Sequence, residues 1–179
     1  MKNLQTISRF LSLVLRHKPH ELGIVLDQNG WADVPELLQK MQQKGFDINL
    51  EILQTIVANN NKQRFKLNSD ASKIRANQGH SVAVDVELIE QLPPQVLYHG
   101  TAVNNLESIK KKGLISQTRL YVHLSSNQTS ALAVGQRHGK AVVLTIRAAE
   151  MQQDGYIFYL SENQVWLSQS VPAQYIEFV

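Results

Sequence analysis

RFKLNSDASKIRANQGHS, residues 64–81, reads as two short strands, Arg64–Leu67 and Lys73–Ala76, forming a hairpin. Arg64, Lys66, Lys73, Arg75, Gln78 and His80 are interleaved with strand-like residues, and Asp70 is the one acid among them. Guanidinium forks with amide and imidazole donors at this spacing suit an anion, phosphate in particular. A single basic residue such as Arg64 on the outer face of a strand is usually just solvated. The run as a whole carries the reading.

Three helices are expected upstream. Ile7, Phe10, Leu11, Val14 and Leu15 recur at helical spacing, and Pro19 keeps that helix short. Asp33 is placed as an N-cap with Glu36 forming a capping box; Val34, Leu37, Leu38 and Met41 give the apolar stripe and Gly45 the stop. A third helix from about Asn49 uses Leu50, Leu53, Ile56 and Val57 and ends in the polar run Asn59–Asn61. Three helices and a terminal hairpin predict a winged-helix-like lobe over residues 1–80, a class that usually binds nucleic acid, although fold alone does not establish it. Arg16 and His17 close the first helix, where the macrodipole favours cations. At about 100° per residue Arg16 lies opposite the apolar stripe and His17 near its edge, so the core of the lobe needs neither.

Residues 81–94 read as a connector, helical from Asp85 and closed by Pro93–Pro94. Residues 95–179 are richer in strands, expected at Val96–Tyr98, Leu120–Leu124, Ala141–Ile146, Tyr156–Leu160, Gln164–Leu167 and near Tyr175–Phe178. Helices are expected at Val103–Lys111, stopped by Gly113, and at Gln128–Arg137. The fold class is α+β, dominated in this half by antiparallel strands. LYHGT, Leu97–Thr101, reads as a strand ending abruptly in polar loop chemistry. In TRLYVHLS, which contains Arg119, alternation puts Leu120, Val122 and Leu124 on one face and Tyr121, His123 and Ser125 on the other. A row of Tyr, His and Ser suits a polar ligand better than a core.

Composition narrows the chemistry. With 43% hydrophobic and 18% charged residues the chain is that of a folded soluble protein, and its lack of cysteine excludes disulfides, thiolate catalysis and Cys-ligated zinc. No apolar run could span a bilayer and no signal-peptide core is evident, so a cytoplasmic protein is expected. Residues 1–80 carry 11 Lys+Arg against 7 Asp+Glu, and the remainder 7 against 8. That asymmetry fits an N-terminal half facing a polyanion, but is too small for tight non-specific nucleic-acid binding. No G-x-G-x-x-G follows a strand, and GQRHGK, residues 135–140, is one residue short of a P-loop and lacks its Ser/Thr. His99 and His123 have no third ligand at a suggestive spacing, so no metal is expected. Without heptads or an unpaired apolar stripe, a monomer is expected.

Taken together, LSLVLRHKP, LDQNGWADV, RFKLNSDASKIRANQGHS, LYHGT, HLS, RHGK and DGYIFYLSENQVWLSQSVP closely resemble the NAD-dependent RNA 2′-phosphotransferases, in that family's order and over essentially the whole chain. The resemblance implies a winged-helix-like lobe followed by an ADP-ribosyltransferase-like lobe that binds NAD without a Rossmann motif. It places the catalytic set on Arg16, His17, Arg64 and Arg119. It places the NAD pocket on His99, Gly100, Thr101, His123 and Ser125, with Val165 where many protein-modifying ADP-ribosyltransferases carry a glutamate. An apolar residue there makes chemical sense: a phosphate monoester is already an anionic nucleophile, which a carboxylate would repel.

The implied reaction has two steps. The RNA 2′-phosphate displaces nicotinamide from NAD, giving an RNA–phospho-ADP-ribose intermediate. The 2″-hydroxyl then attacks that phosphorus, releasing dephosphorylated RNA and ADP-ribose 1″,2″-cyclic phosphate. Arg16, Arg64 and Arg119 are assigned to phosphate binding, and His17 to proton transfer as the member of the set that titrates near neutrality. Arg75, Gln78, His80 and Ser81 are expected to extend the RNA and phosphate contacts. The alternatives are an ADP-ribosyltransferase acting on nucleic-acid terminal phosphates, told apart by its retained adduct, and a non-catalytic winged-helix binding protein.

Overall fold

Leu11, Val14 and Leu15 are fully buried along one face of the first helix, α1 (Leu4–Arg16), and the first unit packs on that stripe. The structure is a computed structural model; it describes residues 4–59 and 62–178, and the chain divides into two units, 1–87 and 88–179. A single 3₁₀ turn at Pro19–Glu21 ends the path of α1. Next come β1 (Ala32–Asp33), α2 (Val34–Gln43), α3 (Leu50–Ala58), β2 (Phe65–Leu67) and β3 (Lys73–Ala76). The sheet order is β1-β3-β2, antiparallel throughout, with Ala32 opposite Ile74 and Phe65 opposite Ala76. Ile74 and Phe65 join Leu37, Met41 and Leu53 in the core.

The three expected helices and the hairpin are all present, with a strand added by Ala32–Asp33. Asp33 ends that strand and caps α2, its Oδ1 accepting the Glu36 N–H at 2.8 Å. The expected reciprocal half of the capping box is replaced: the Glu36 carboxylate takes Lys40 Nζ at 2.6 Å, one turn along. Asn49 caps α3 through the Ile52 N–H at 2.8 Å. Asn59 is the C-cap of α3; Asn60 and Asn61, where the sequence places the end of that helix, lie outside the described residues.

The helix expected from Asp85 does not form. Asp85 N–H donates to the Gln28 carbonyl at 2.8 Å, Asn29 Nδ2 donates to the Asp85 carbonyl at 2.9 Å, and Asp85 Oδ1 accepts the Glu87 N–H at 2.9 Å. The groups that would start a helical ladder are thus committed to the turn before β1.

The second unit begins with β4 (Leu97–Ala102), which continues through His99–Thr101 rather than ending there. After a 3₁₀ turn at Val103–Asn105 come α4 (Leu106–Lys112), β5 (Leu114–Ile115), β6 (Val122–Leu124), α5 (Gln128–Gly135) and β7 (Ala141–Ile146). Then follow α6 (Ala148–Gln153), β8 (Tyr159–Leu160), β9 (Trp166–Ser168), β10 (Ser170–Val171) and β11 (Ile176–Glu177). Two three-stranded sheets, β11-β7-β4 and β6-β9-β8, and a small β10-β5 ladder are antiparallel. The two larger sheets meet where Tyr98 and Ser125 exchange backbone hydrogen bonds of 2.9 and 2.8 Å. The described residues thus form six α-helices with small antiparallel sheets, and no helix among them is long and apolar enough to cross a membrane.

Helix α5 lies directly on β4. A Cβ added at Gly100 would sit 1.6 Å from the Ala131 carbonyl oxygen and 2.9 Å from the Gly135 nitrogen, so backbone meets backbone. Only glycine permits that approach. Gly100→Ala is therefore expected to lower the unfolding free energy by about 1–3 kcal/mol or more, the range typical of overpacking, and with it the urea midpoint. An unchanged midpoint would show that α5 does not dock as described.

Candidate functional site

The segment Asn77–Ser81, leaving β3, ties together residues distant in sequence. Asn77 N–H donates to the Arg64 carbonyl at 2.9 Å, and its Nδ2 donates to the Gln63 carbonyl at 2.6 Å. Gln63 has φ +40, in the left-handed region that costs a non-glycine residue energy, so this anchor fixes the approach to Arg64. Gly79, at φ +89, passes beside Arg16; a Cβ there would lie 3.7 Å from the guanidinium carbon. Ser81 N–H then donates to the Arg16 carbonyl at 2.9 Å, satisfying an acceptor left over at the end of α1. Ser81 Oγ is 3.0 Å from His17 Nδ1. Arg16, His17 and Arg64 are all half-buried. One short segment thus holds three of the residues that the sequence marks as catalytic.

Beneath them lies His80, 2% exposed. Burial, and after it the charges of Arg16, His17 and Arg75, lower its pKa to about 4, so the ring is neutral at physiological pH. Its Nε2 is buried with no hydrogen-bond partner among the described residues. A further cation here would repel its neighbours; a neutral imidazole fills the space without doing so. Arg75 is also buried, its guanidinium 4.6 Å over the Trp31 ring with Nη1 3.0 Å from Glu87 Oε2. Sequence placed Arg75 and His80 in a phosphate-facing run, whereas both are sequestered among the unit's own side chains. Gln78 is half-buried and Ser81 exposed.

In the second unit His99 occupies the seam between the sheets. Its Nδ1 is 3.0 Å from the His123 carbonyl oxygen, which can only accept, so Nδ1 carries the proton and Nε2 is the acceptor. Burial lowers the His99 pKa, the bond to His123 opposes this, and nearby His138 lowers it further. His123 and Ser125 are half-buried while Val122 and Leu124 are buried, the alternation read from sequence. Gly100 is closed off by α5. Thr101 is buried, its Oγ1 accepting from Asn105 Nδ2 at 3.0 Å. Val165, half-buried, ends the turn ahead of β9, its N–H donating to Ser161 Oγ at 3.0 Å.

Arg119 precedes β6, which starts at Val122 rather than at the expected Leu120. The Arg119 side chain is solvent-exposed overall, yet partial burial of its guanidinium and then the charge of Arg137 lower its pKa. GQRHGK, which is not a P-loop, also carries the adjacent Arg137 and His138. Arg137 acts on Arg119, expected in the catalytic set, and His138 on His99, expected in the NAD pocket. The basic pair itself was the available signal.

Comparison with known proteins bears on this arrangement. Residues 2–170 match the family described as RNA 2′-phosphotransferase, Tpt1 / KptA. A probable RNA 2′-phosphotransferase of Flavobacterium johnsoniae is 51% identical over 174 residues, covering 97% of this chain and 96% of that protein. One from Fusobacterium nucleatum is 49% identical over 179 residues, covering 99% of this chain and all of the relative (100%). One from Escherichia coli O6:K15:H31 is 48% identical over 178 residues, covering 99% and 97% respectively.

The buried neutral His80 has a measurable consequence. Its folded pKa, about 4, lies below the ordinary 6.5. Between those values the unfolded chain takes up a proton that the folded chain does not, so stability falls as pH drops through that window. The loss is on the order of 3 kcal/mol once pH falls below about 4. His80→Gln is expected to flatten the pH dependence of urea-unfolding free energy between pH 7 and pH 4.5, relative to the unsubstituted protein. Parallel profiles would contradict a neutral, buried His80.

Proposed function

The chain belongs to the Tpt1/KptA family of RNA 2′-phosphotransferases and is an RNA 2′-phosphotransferase enzyme, and from that premise we propose how its own residues carry out the reaction. The observation that carries the proposal is the clustering of Arg16, His17 and Arg64 on the Asn77–Ser81 segment. The family uses NAD. Consumed as co-substrate, NAD supplies an anomeric carbon that accepts the phosphate and a neighbouring hydroxyl that later attacks the phosphorus.

The His99 environment fits such a substrate. A neutral imidazole with a fixed tautomer presents Nε2 as an acceptor for a ribose hydroxyl, and the half-buried His123 and Ser125 follow on the adjoining strand. Gly100 and Thr101 then serve by shaping the wall behind His99, and Val165 borders the site without adding an anion. Arg16, Arg64 and Arg119 hold the RNA 2′-phosphate and stabilise charge at phosphorus, the task for which preorganised guanidiniums are suited. His17 removes the proton from the attacking hydroxyl and returns one to the RNA 2′-oxygen. The arginines cannot do so, being always protonated. Gln78 and Ser81 lie on the same segment; Arg75 and His80 act from beneath.

The three-helix unit with its β1-β3-β2 sheet supports a winged-helix-like reading of the first lobe, through residue 80. The paired sheets joined at Tyr98 and Ser125 support an ADP-ribosyltransferase-like reading of residues 95–179. The enzyme acts as a cytoplasmic monomer on RNA carrying an internal 2′-phosphate.

The test is a single-turnover reaction on a 2′-phosphorylated oligoribonucleotide, with and without NAD and in excess EDTA, following both RNA and nucleotide products. Phosphate removal should require NAD, persist in EDTA, and yield ADP-ribose 1″,2″-cyclic phosphate. In the first step an anion attacks and neutral nicotinamide leaves, so no proton need move. In the second, acid–base catalysis typically supplies about 10²–10⁴-fold. His17→Ala should therefore slow the second step more than the first, and RNA–phospho-ADP-ribose should accumulate. Equal slowing of both steps would remove the proton-transfer role. A retained ADP-ribose adduct as the final wild-type product would point instead to an ADP-ribosyltransferase of nucleic-acid phosphates.

A further inference from the structure

Between the first turn of α1 and the last turn of α3 lies a cavity of about 360 Å³. Leu4 and Ile56 give it an apolar floor, Gln5 and Asn59 bring amide side chains, and Lys62 and Arg64 complete the wall. Leu4 is 48% exposed, a large apolar side chain outside the unit's core. Lys62 and Arg64 are the charged members of the described lining, which contains no acid. Pockets that hold small organic ligands run from about 300 to 1,000 Å³ and combine apolar walls with a few polar groups.

Arg64 ties this cavity to the candidate site. Its carbonyl is held by the Asn77 N–H at 2.9 Å, on the segment that passes Arg16 at Gly79. Helix α1 makes a second connection. At about 100° per residue, Gln5, Ser8, Ser12 and Arg16 fall within about 80° of one another around the helix. Gln5 and Ser8 line the cavity, and Arg16 stands at the far end of the same polar face. We propose that this cavity receives the base of a nucleotide flanking the 2′-phosphate on the same RNA strand. The inference rests on the phosphate-binding role proposed above for Arg16 and Arg64.

The lining suits a base. Single-stranded RNA is recognised by splaying unstacked bases out of the strand and hydrogen-bonding their edges. Leu4 and Ile56 match the apolar face of a ring, and Gln5 and Asn59 each carry both donors and an acceptor for its edge. Lys62 is exposed and adds attraction for the backbone of the strand. The base supplies affinity here while the guanidiniums of the neighbouring site address the 2′-phosphate.

The test is the dissociation constant of a pentanucleotide with a 2′-phosphate on its central residue, measured by fluorescence anisotropy without NAD at fixed salt. Four companions each lack one flanking base but keep its ribose and phosphates. Removal of one of these bases should weaken binding by about tenfold or more, within the coupling range of groups in contact. The full-chain double variant Gln5→Ala/Asn59→Ala should weaken the intact pentanucleotide comparably. On that one base-free companion it should lose little further. Thr55→Glu, which sets an anion on the cavity wall, should behave in the same way. All three positions are exposed, so the fold should tolerate these changes.

Indifference to all four base removals, or losses from variant and base removal that simply add, would overturn the inference. So would a raised KM for NAD in the double variant with RNA binding unchanged, which would give the cavity to the adenine of the co-substrate. A separate arm checks the reading beneath it. If Arg16→Ala prefers the 2′-phosphorylated pentanucleotide over the unphosphorylated one as strongly as the unsubstituted protein does, the phosphate-binding role of Arg16 fails. The coupling between cavity and base still decides the subsite.

Discussion

At the end of α1 a backbone carbonyl is left without a helical donor, and the way it is satisfied organises the first unit's candidate site. Ser81 N–H supplies the bond to Arg16. To reach it, the chain leaving β3 passes Arg64, pins the Gln63 and Arg64 carbonyls through Asn77, and turns at Gly79 against the Arg16 guanidinium. The hydroxyl of Ser81 then meets His17. A helix-capping requirement, local and independent of any ligand, thereby gathers Arg16, His17 and Arg64. Preorganisation of this kind is what an electrostatic catalyst needs, because donors already in place cost no reorganisation during reaction.

Gathering cations has an electrostatic cost, and the surrounding residues show how it is limited. His80 stays neutral because burial and the adjacent charges disfavour its protonated form. Arg75 is matched by Glu87 and stacked on Trp31. In the second unit burial likewise keeps His99 neutral, while the His123 carbonyl decides which of its nitrogens carries the proton. The two units thus use the same device, an imidazole whose state is set by its surroundings, once as support and once as a proposed ligand acceptor.

Periodicity made the long elements legible. The stripe from Ile7 to Leu15 and the alternation through Val122, His123 and Leu124 are repeated signals; the helix forms where expected, and the strand forms over the last three residues of its expected span. Ala32–Asp33, Leu114–Ile115 and Ser170–Val171 are too short to repeat a pattern, and they exist because a partner strand is present. The helix expected at Asp85 lost to tertiary hydrogen bonds that no local propensity reports. Residue type and spacing revealed a cationic run but not its direction: β3 is the central strand, and Arg75 is buried on it despite being charged. Gly100 and Thr101 read as pocket chemistry in LYHGT, although their side-chain requirements come from α5 and Asn105.

The central claim is that Asn77–Ser81 is a fixed clamp rather than a loop ordered by substrate. Amide hydrogen exchange of the substrate-free protein tests it most directly, because the Asn77 and Ser81 amides are the donors to Arg64 and Arg16. Both should exchange as slowly as amides in the middle of β3, through an opening of the whole unit. Exchange at the rate of an exposed loop, with protection gained only when substrate is added, would contradict the account and make the site one assembled by its ligand.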